Sequence, residues 1–168
     1  MTELASVDTL IENIAERLPP LLQQRGIQRP VMIGIHTGGV WVAQRLHQRL
    51  ALDEPLGTLD ISFYRDDFSR IGMNPRVKPS QLPFDVNDRH VILVDDVLYT
   101  GRTARAALNE IFDWGRPASV MLTALIDRDG RELPIAADIS GQQLRLSPGE
   151  QIKLQGPSPL SMVIQRQA

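Results

Sequence analysis

The sequence contains no cysteine among its 168 residues, which excludes a disulfide framework and any metal site built from thiolates. It also lacks an apolar run near the ~20 residues that a membrane-spanning helix needs. The amino terminus carries Glu3 and Asp8 where an export signal would have a basic segment followed by an apolar one. We therefore expect a cytoplasmic protein with no membrane partner.

The chain also lacks an excess of charge of either sign. The 18 Lys and Arg residues against 20 Asp and Glu residues give a formal net charge of −2, which provides no global attraction for nucleic acid. A local basic surface stays open, because net charge does not say where the cations lie. Apolar residues make up 42% of the chain and charged residues 23%, as in soluble globular proteins. A chain of this length suits one domain, residues 1–168.

The first part of the chain alternates between helical and strand patterns. Apolar residues recur at helical spacing near the amino terminus, at Leu10, Ile11, Ile14 and Leu18. Pro19 and Pro20 are expected to end or kink this helix. An apolar strand is predicted over Val31–Ile35, and a second helix is predicted over residues 40–50 after the glycine-containing turn 36–39.

A long polar stretch follows the second predicted strand, residues 59–63. It covers residues 64–88 and holds three prolines and one glycine. Loops longer than about 12–15 residues are usually functional or disordered. This stretch is therefore a candidate lid, and a solvated hairpin is the alternative.

The next segments complete the alternation. Residues 91–94 are continuously apolar, as in a strand buried on both faces, and a helical pattern begins at Thr103 and closes near Gly115 and Pro117. Residues 120–126 form a further apolar strand. Strands and helices that alternate in this way indicate a parallel, doubly wound α/β sheet.

The last 40 residues differ in character. Short candidate strands around residues 138–140, 152–154 and 162–164 are separated by glycine and proline, which indicates a small β-rich cap near the ligand edge of the sheet. We expect a core of about residues 8–126 and hood elements over about residues 127–168.

The segment 91–103 carries the chemistry. Asp95 and Asp96 follow the buried strand at the carboxyl edge of the sheet, where open α/β folds bind ligands. Paired carboxylates can accept hydrogen bonds from the vicinal hydroxyls of a ribose, or hold a divalent metal and its waters. From Thr100 to Thr103 a tight turn enters a helix, whose N–H groups suit a phosphate. The segment therefore matches a sugar that carries its own 5′-phosphate.

An apolar strand followed by two acids has three other interpretations. A receiver domain has such a pair near its start, whereas Asp96 lies in the second half of this chain. A nucleotide hydrolase needs an upstream G-x-x-x-x-G-K-[ST] loop, and the sequence has none. In the third, Asp95 and Asp96 only cap a helix or lie in solvent, which leaves the Thr-Gly-x-Thr turn without an explanation.

Residues 91–103 resemble the thirteen-residue signature for 5-phosphoribosyl pyrophosphate (PRPP) in type I phosphoribosyltransferases. The form of the signature is similar to that of the pyrimidine operon regulators that are also uracil phosphoribosyltransferases. Four other segments resemble that branch too, residues 60–67, 115–117, 127–128 and 131–135. The likeness covers roughly residues 8–166, and it implies the type I phosphoribosyltransferase fold, a mostly parallel central sheet flanked by helices with a small β-rich C-terminal hood.

The resemblance also implies the site residues. Asp95 and Asp96 would bind the ribose 2′ and 3′ hydroxyls, act as catalytic residues together with Arg65, and contact indirectly the Mg²⁺ that accompanies PRPP. Arg128 and Ile152 would face the nucleobase in the hood. The implied PRPP and nucleotide-binding residues are Thr37, Gly38, Asp95, Asp96, Val97, Leu98, Tyr99, Thr100, Gly101, Arg102 and Thr103.

The implied reaction converts uracil and PRPP into uridine monophosphate (UMP) and diphosphate. Positive charge develops on the ribose as the diphosphate leaves, so catalysis rests on positioning, Mg²⁺ and charge neutralisation under a closed lid. The implied partners are PRPP, uracil, UMP and UTP, leader RNA of a pyrimidine operon, and further copies of the chain in a dimer or tetramer. Guanine or hypoxanthine stays open as the base, because the signature reads only the sugar phosphate.

The pyrophosphate loop departs from the family pattern. Where relatives usually have Lys-Thr-Arg-Gly, this chain has His36-Thr37-Gly38-Gly39, so two cations are replaced by an imidazole and a glycine. Loss of a positioned donor can lower the rate ~10²- to 10³-fold. Four cations of the predicted lid are candidates to substitute, Arg65, Arg70, Arg76 and Lys78. The alternative function is a nucleotide-sensing regulator with little or no turnover.

The hood departs as well. Asp129 and Gly130 stand where relatives often have Gly-His, and basic positions downstream are Ala136 and Gln142. These changes remove positive charges from the basic surface with which the family binds RNA. Five arginines can still form a patch or simply act as solubilising charges, Arg17, Arg25, Arg29, Arg131 and Arg145.

Overall fold

The computed structural model describes residues 3–61 and 80–167. Within these ranges no helix is both long and apolar enough to cross a membrane. The described helices are α1 (Val7–Gln24), α2 (Gly38–Leu50) and α3 (Arg102–Trp114). The described strands are β1 (Val31–Ile35), β2 (Gly57–Leu59), β3 (His90–Leu98), β4 (Ser119–Arg128), β5 (Ile139–Leu144), β6 (Glu150–Gln155) and β7 (Ser161–Arg166).

Five strands form one parallel sheet in the order β2-β1-β3-β4-β5. The central strand, β3, pairs on one side with β1, through Ile33 opposite Leu93, and on the other side with β4, through Leu93 opposite Leu122. The prediction of a parallel, doubly wound sheet is confirmed. Because β3 is central, whatever follows it at the carboxyl edge is flanked by the ends of both neighbours.

The two faces of the sheet bury separate hydrophobic clusters. Ile92 and Val94 of β3 pack into the cluster that includes the buried residues of α1 and α2, whereas Val91 and Leu93 pack with those of α3. This division follows from the two-residue repeat of a strand, which sends successive side chains to opposite faces. The run of apolar residues in β3 therefore serves two cores at once, as the sequence predicts.

Pro19 and Pro20 were predicted to end or kink the first helix, and the first of these outcomes is wrong, because α1 continues to Gln24 with both prolines inside it. A proline within a helix removes one backbone hydrogen bond, so the helix needs another source of stability there. Both prolines are exposed, while Leu18 and Leu22 on either side of them are buried in the core. Burial of this apolar face explains why the helix continues.

The position of the second predicted strand needs correction. The strand predicted over residues 59–63 is β2, which begins and ends earlier, at Gly57 and Leu59, and residues 62–79 lie outside the described residues. The predicted lid, residues 64–88, falls largely on that range. Its described end returns to the sheet, since Gln81 and Thr58 exchange backbone hydrogen bonds of 2.8 Å in both directions.

The carboxy-terminal strands divide between two sheets. The strand predicted around residues 138–140 is β5, which pairs in parallel with β4 and so belongs to the main sheet and not to a cap. The other two predicted strands are β6 and β7, which form a separate antiparallel pair. The predicted small β-rich element is confirmed in this hairpin.

Candidate active site

The turn between β1 and α2 lies at the carboxyl edge of the sheet. The N–H of His36 donates to the carbonyl of Leu59 at 2.9 Å, which fixes the start of the turn beside the end of β2. The peptide bond between His36 and Thr37 is cis. Helix α2 begins at Gly38, so the second half of the turn 36–39 is the first part of this helix.

Two glycines let this turn lie directly against β3. A Cβ built on Gly39 would stand 2.7 Å from the carbonyl oxygen of Val94, and one built on Gly38 would stand 2.2 Å from Oδ2 of Asp96. Real Cβ atoms do not approach so closely, so a side chain at Gly39 would displace the backbone of β3, and one at Gly38 would displace the carboxylate of Asp96 or the turn. The sequence motif His36-Thr37-Gly38-Gly39 is therefore matched to close contact with the two acids.

The two acids lie within β3 and not after it. Pairing with β4 continues through Asp95 opposite Ala124 and as far as Leu98 opposite Asp127, so the prediction that the strand ends before the acids is wrong. The reason is that β4 is also long and supplies partners for Asp95, Val97 and Leu98. Asp95 and Asp96 consequently point to opposite faces of the sheet.

The environments of the two carboxylates differ. The side chain of Asp95 is buried, with 6% exposure, and its Oδ1 accepts the N–H of Asp96 at 2.8 Å. Asp96 is half-buried, and its Oδ1 accepts the N–H of Val97 at 2.8 Å. These bonds orient both side chains, while Oδ2 of Asp96 faces the turn at Gly38.

The residues after β3 form a turn that enters α3. Gly101 has a φ of +96°, a left-handed conformation that favours glycine. The hydroxyl of Thr100 accepts the N–H of Arg102, the first residue of the helix, at 3.1 Å. The first N–H groups of a helix lack intrahelical partners, so this end of α3 is a suitable place for an anion.

A cleft of about 440 Å³ opens beside this turn. The guanidinium of Arg128 stacks over the ring of Tyr99 at 3.8 Å from the ring centre, and this brings the predicted base contact next to the predicted phosphate turn. The described residues that line the cleft are Asp127, Arg128, Asp129, Arg131, Gln143, Leu144 and Arg145. Ile152 is not among them, since its side chain is 7% exposed and packs in the core cluster under α1.

Some predicted residues are not covered by these observations. Arg65, the third predicted catalytic residue, lies outside the described residues, as do Arg70, Arg76 and Lys78 of the predicted lid. Among the residues that the structure describes, no group of three or more His, Cys, Asp or Glu side chains is arranged to hold a metal ion.

One set of contacts was not anticipated from the sequence. Residues 130–135 lie against the turn 99–101, and the N–H groups of Glu132 and Leu133 donate to the carbonyl of Thr100 at 2.9 and 3.1 Å. The guanidinium of Arg131 donates to the carbonyl of Tyr99. In the sequence Gly130 stands out only as a departure from relatives, and no spacing pattern links residues 130–135 to the turn.

Comparison with known proteins identifies the family of this chain and several relatives that are similar over most of its length. Residues 2–152 match the model of the phosphoribosyl transferase domain family. The chain is 62% identical over 162 residues to a Nitrosococcus oceani protein named Bifunctional protein PyrR, covering 95% of this chain and 92% of the relative. A protein of the same name from Pseudomonas paraeruginosa is 57% identical over 153 residues, with 91% and 90% covered.

Solved structures resemble the chain more distantly. The hypoxanthine phosphoribosyltransferase of Trypanosoma cruzi superposes with a TM-score of 0.70 at 18% identity, covering 100% of this chain and 98% of that one. A hypoxanthine-guanine phosphoribosyltransferase of Bacillus anthracis gives a TM-score of 0.68 at 21% identity, covering 90% and 86%. At such identities the likeness concerns the fold alone.

Proposed function

The chain belongs to the phosphoribosyl transferase domain family, among relatives named Bifunctional protein PyrR, and we propose from this that it is a pyrimidine regulator with uracil phosphoribosyltransferase activity. It has the type I phosphoribosyltransferase fold. In the reaction a bond forms between N1 of uracil and C1′ of PRPP, the bond from C1′ to the diphosphate breaks, and the proton of N1 is released. The products are UMP and diphosphate, and uridine nucleotides bound at the same site regulate pyrimidine biosynthesis genes.

The observation that carries this proposal is the convergence of three segments at the carboxyl edge of β3. Oδ2 of Asp96 faces the glycine turn at Gly38, and the turn into α3 begins three residues further on, at Tyr99. A ribose 5-phosphate needs acceptors for its hydroxyls and N–H donors for its phosphate. We assign the hydroxyls to Asp95 and Asp96.

The remaining assignments follow the same geometry. The phosphate is assigned to the turn that leads into α3, and the diphosphate to the turn between β1 and α2. The residues proposed to contact PRPP or the nucleotide are Thr37, Gly38, Asp95, Asp96, Val97, Leu98, Tyr99, Thr100, Gly101, Arg102 and Thr103. Val97 and Leu98 lie in β3 itself, so their part is to carry the strand from the acids to the turn.

The base is assigned to the side of Arg128. Its stacking on Tyr99 places a cation at the edge of the cleft next to the phosphate turn, and a guanidinium is a suitable donor to the carbonyl oxygens of uracil. Ile152 is buried in the core cluster. We propose that Ile152 supports the base site from the core and does not line the open cleft.

Mg²⁺ fits the site as a companion of PRPP. The described part of the chain holds no cluster of three possible ligands, but Mg²⁺ typically binds through one or two carboxylates together with substrate phosphates and waters. Asp95 and Asp96 supply hard oxygen atoms of this kind. When bound, the ion would neutralise charge on the departing diphosphate.

A catalytically weak or inactive sensor is the second candidate function. It is favoured by the turn 36–39, which has a histidine and a glycine where relatives carry two cations. At Gly38 a Cβ would overlap the carboxylate of Asp96, so an arginine there would require a different position of that carboxylate or of the turn. Arg65, which we still propose as a catalytic residue, is the candidate to supply the missing charge.

We propose that leader RNA binds at a basic surface. This proposal rests on the arginines of the candidate patch, because the net charge of the chain does not favour RNA. Arg25 pairs with Asp138 at 2.9 Å and Arg29 pairs with Glu54 at 3.1 Å, so part of their charge is compensated. Arg131 and Arg145 line the cleft, and the charge of Arg131 is also partly compensated, by Asp127 at 2.6 Å. We propose that Arg17, Arg131 and Arg145 contact the RNA.

We further propose that the protein is cytoplasmic and forms a dimer or tetramer. The side chains of Phe112 and Trp114 on α3 are 57% and 46% exposed, which supports a subunit contact on this helix. Residues 1–168 are proposed to form one domain, with a core of about residues 8–126 and hood elements over about residues 127–168, of which β5 adds a strand to the main sheet.

A radiolabelled uracil assay with PRPP and Mg²⁺ tests the enzyme. The wild type and the double variant Asp95→Ala, Asp96→Ala are compared, with hypoxanthine and guanine as competing bases. Formation of UMP by the wild type alone supports the proposal. Binding of UMP without turnover supports the sensor instead, and a preference for a purine would replace uracil as the substrate.

A further inference from the structure

The turn that enters α3 is held from outside by residues 130–135, which we call the strap. Two N–H groups of the strap, those of Glu132 and Leu133, donate to the carbonyl of Thr100 at 2.9 and 3.1 Å. A Cβ built on Gly101 would stand 3.1 Å from the side chain of Ile135. The strap therefore packs on the turn as well as bonding to it.

Arg131 connects the same turn to the central sheet. Its Nη1 donates to the carbonyl of Tyr99 at 2.5 Å, and its Nη2 donates to Oδ1 of Asp127 at 2.6 Å. The side chains of Arg131 and Asp127 are 27% and 16% exposed. Solvent therefore screens this ion pair less than it screens an ion pair on the open surface. Asp127 is part of β4 and pairs with Leu98. Through Arg131 the carbonyl of Tyr99 is tied to a rigid strand.

The ring of Tyr99 is fixed by the same segment. The backbone of Gly130, at a φ of +113°, lies so close that a Cβ would stand 2.4 Å from the ring. Arg128 covers the ring at 3.8 Å. Both the side chain and the carbonyl of Tyr99 are therefore held by Arg128 at the end of β4 and by the residues that follow it.

Fixing these two carbonyls also fixes the N–H groups that follow them. A trans peptide unit is planar, so its carbonyl and its N–H point in opposite directions. Arg131 holds the carbonyl of Tyr99 and thereby directs the N–H of Thr100 to the opposite side. The bonds from the strap to Thr100 do the same for the N–H of Gly101. These two N–H groups lie at the start of the turn assigned above to the 5′-phosphate.

We propose that Arg131 is a positioning residue that preorganises the phosphate turn through the carbonyl of Tyr99 without touching the ligand. The proposal rests on the assignment of this turn to a 5′-phosphate. Preorganised donors bind an anion without a cost of reorientation. Loss of Arg131 should therefore lower the affinity of the protein for ligands that carry the 5′-phosphate. Its affinity for free uracil should stay nearly unchanged.

The test compares Arg131→Met and Arg131→Lys with Arg49→Met. Arg49 is a matched control, because its guanidinium also makes a two-pronged contact, with Glu12 at 3.1 and 2.6 Å, on helices away from the turn. Arg131→Met should raise both KM for PRPP and Kd for UMP about tenfold, as expected for a lost charged hydrogen bond. KM for uracil should stay within about twofold of the wild type, since no bond to the base is removed.

The lysine variant gives a graded result. Lys keeps the charge but not the planar fork that reaches two acceptors at once, so Arg131→Lys should raise Kd for UMP by only about threefold. Arg49→Met should leave Kd for UMP at the wild-type value. If Arg131→Met does not fold, Arg131→Lys decides, and an unchanged Kd overturns the proposal.

Two further outcomes overturn it. One is an unchanged Kd for UMP in folded Arg131→Met. The other is an equal rise of KM for PRPP and for uracil, which indicates general destabilisation. A wild type that binds UMP but has no turnover contradicts the enzyme proposal alone, because Kd for UMP still tests Arg131. Failure of the wild type to bind UMP contradicts both.

Discussion

The backbone of Gly38 lies directly against the carboxylate of Asp96, so closely that a Cβ on Gly38 would stand 2.2 Å from Oδ2. This contact joins the turn after β1 to the acidic pair in β3. It also explains why glycine, the only residue without a Cβ, begins α2. The distance between the proposed diphosphate turn and the proposed ribose carboxylates is thus set by the absence of a side chain.

Substitution of Gly38 by alanine should lower kcat/KM for PRPP strongly and change the free energy of unfolding little. Alanine has the higher helix propensity, so the cost arises from the overlap with Asp96, which must displace the turn or the carboxylate. A displacement near 1 Å in an active site can lower the rate about 10²-fold, and we expect kcat/KM for PRPP to fall by roughly 10- to 100-fold. Steady-state kinetics with PRPP measures this fall.

Gly149→Ala is the matched control for this substitution. Gly149 has a φ of +85° and nothing within 4 Å of a built Cβ, so alanine there is costly for the backbone but has no steric overlap. We expect a loss of about 1 kcal/mol in the free energy of unfolding with unchanged kinetics. Equal kinetic losses in both variants would contradict the role of the contact between Gly38 and Asp96.

Thr123→Val should stabilise the protein. The hydroxyl of Thr123 is buried in β4, and the described residues offer it no hydrogen-bond partner. Valine has nearly the same shape and removes the desolvation cost of that hydroxyl, so we expect a gain of about 1 kcal/mol in the free energy of unfolding. Urea denaturation measures it, and a loss of stability would show that the hydroxyl does have a partner.

The ion pair between Glu12 and Arg49 should give a small dependence of stability on pH. The hydrogen bonds from Arg49 hold the pKa of Glu12 below its ordinary value of 4.5. Because the pKa is lower in the folded than in the unfolded protein, the stabilisation is present above pH 4.5 and is lost as the pH falls through the lowered pKa.

Arg49→Met removes the cause of this shift. An NMR titration of the Glu12 carboxyl should show its pKa rising towards the ordinary range in the variant. The unfolding free energy of the variant should also change less than that of the wild type as the pH is lowered below the ordinary pKa. A Glu12 pKa that is the same in both proteins would contradict the assignment of the shift to Arg49.

The order of elements was predictable because it depends on local patterns. Apolar runs such as residues 91–94 and helical spacing as in α1 identify the elements, and their alternation gives the parallel sheet. The extent of β3 was not predictable, since Asp95 and Asp96 stay in the strand only because β4 supplies partners across the sheet. Likewise the continuation of α1 past Pro19 depends on burial of Leu22, which is a tertiary effect.

The site was predictable in part for the same reason. The acids and the turn into α3 are adjacent in sequence, so one segment reveals both. The contact between Gly38 and Asp96 and the bond from Arg131 to Tyr99 join segments distant in sequence, and only the register of β1, β3 and β4 brings them together.

The assignment of Asp95 and Asp96 to the ribose hydroxyls is tested most directly by titration calorimetry with UMP and with 2′-deoxyuridine monophosphate. A carboxylate that accepts the 2′-hydroxyl makes a charge-assisted hydrogen bond, so the wild type should bind UMP about tenfold more tightly than the deoxy analogue. In the isosteric double variant Asp95→Asn, Asp96→Asn, this preference should shrink to about twofold or less. Equal affinity of the wild type for both nucleotides, or an undiminished preference in the variant, would contradict the assignment.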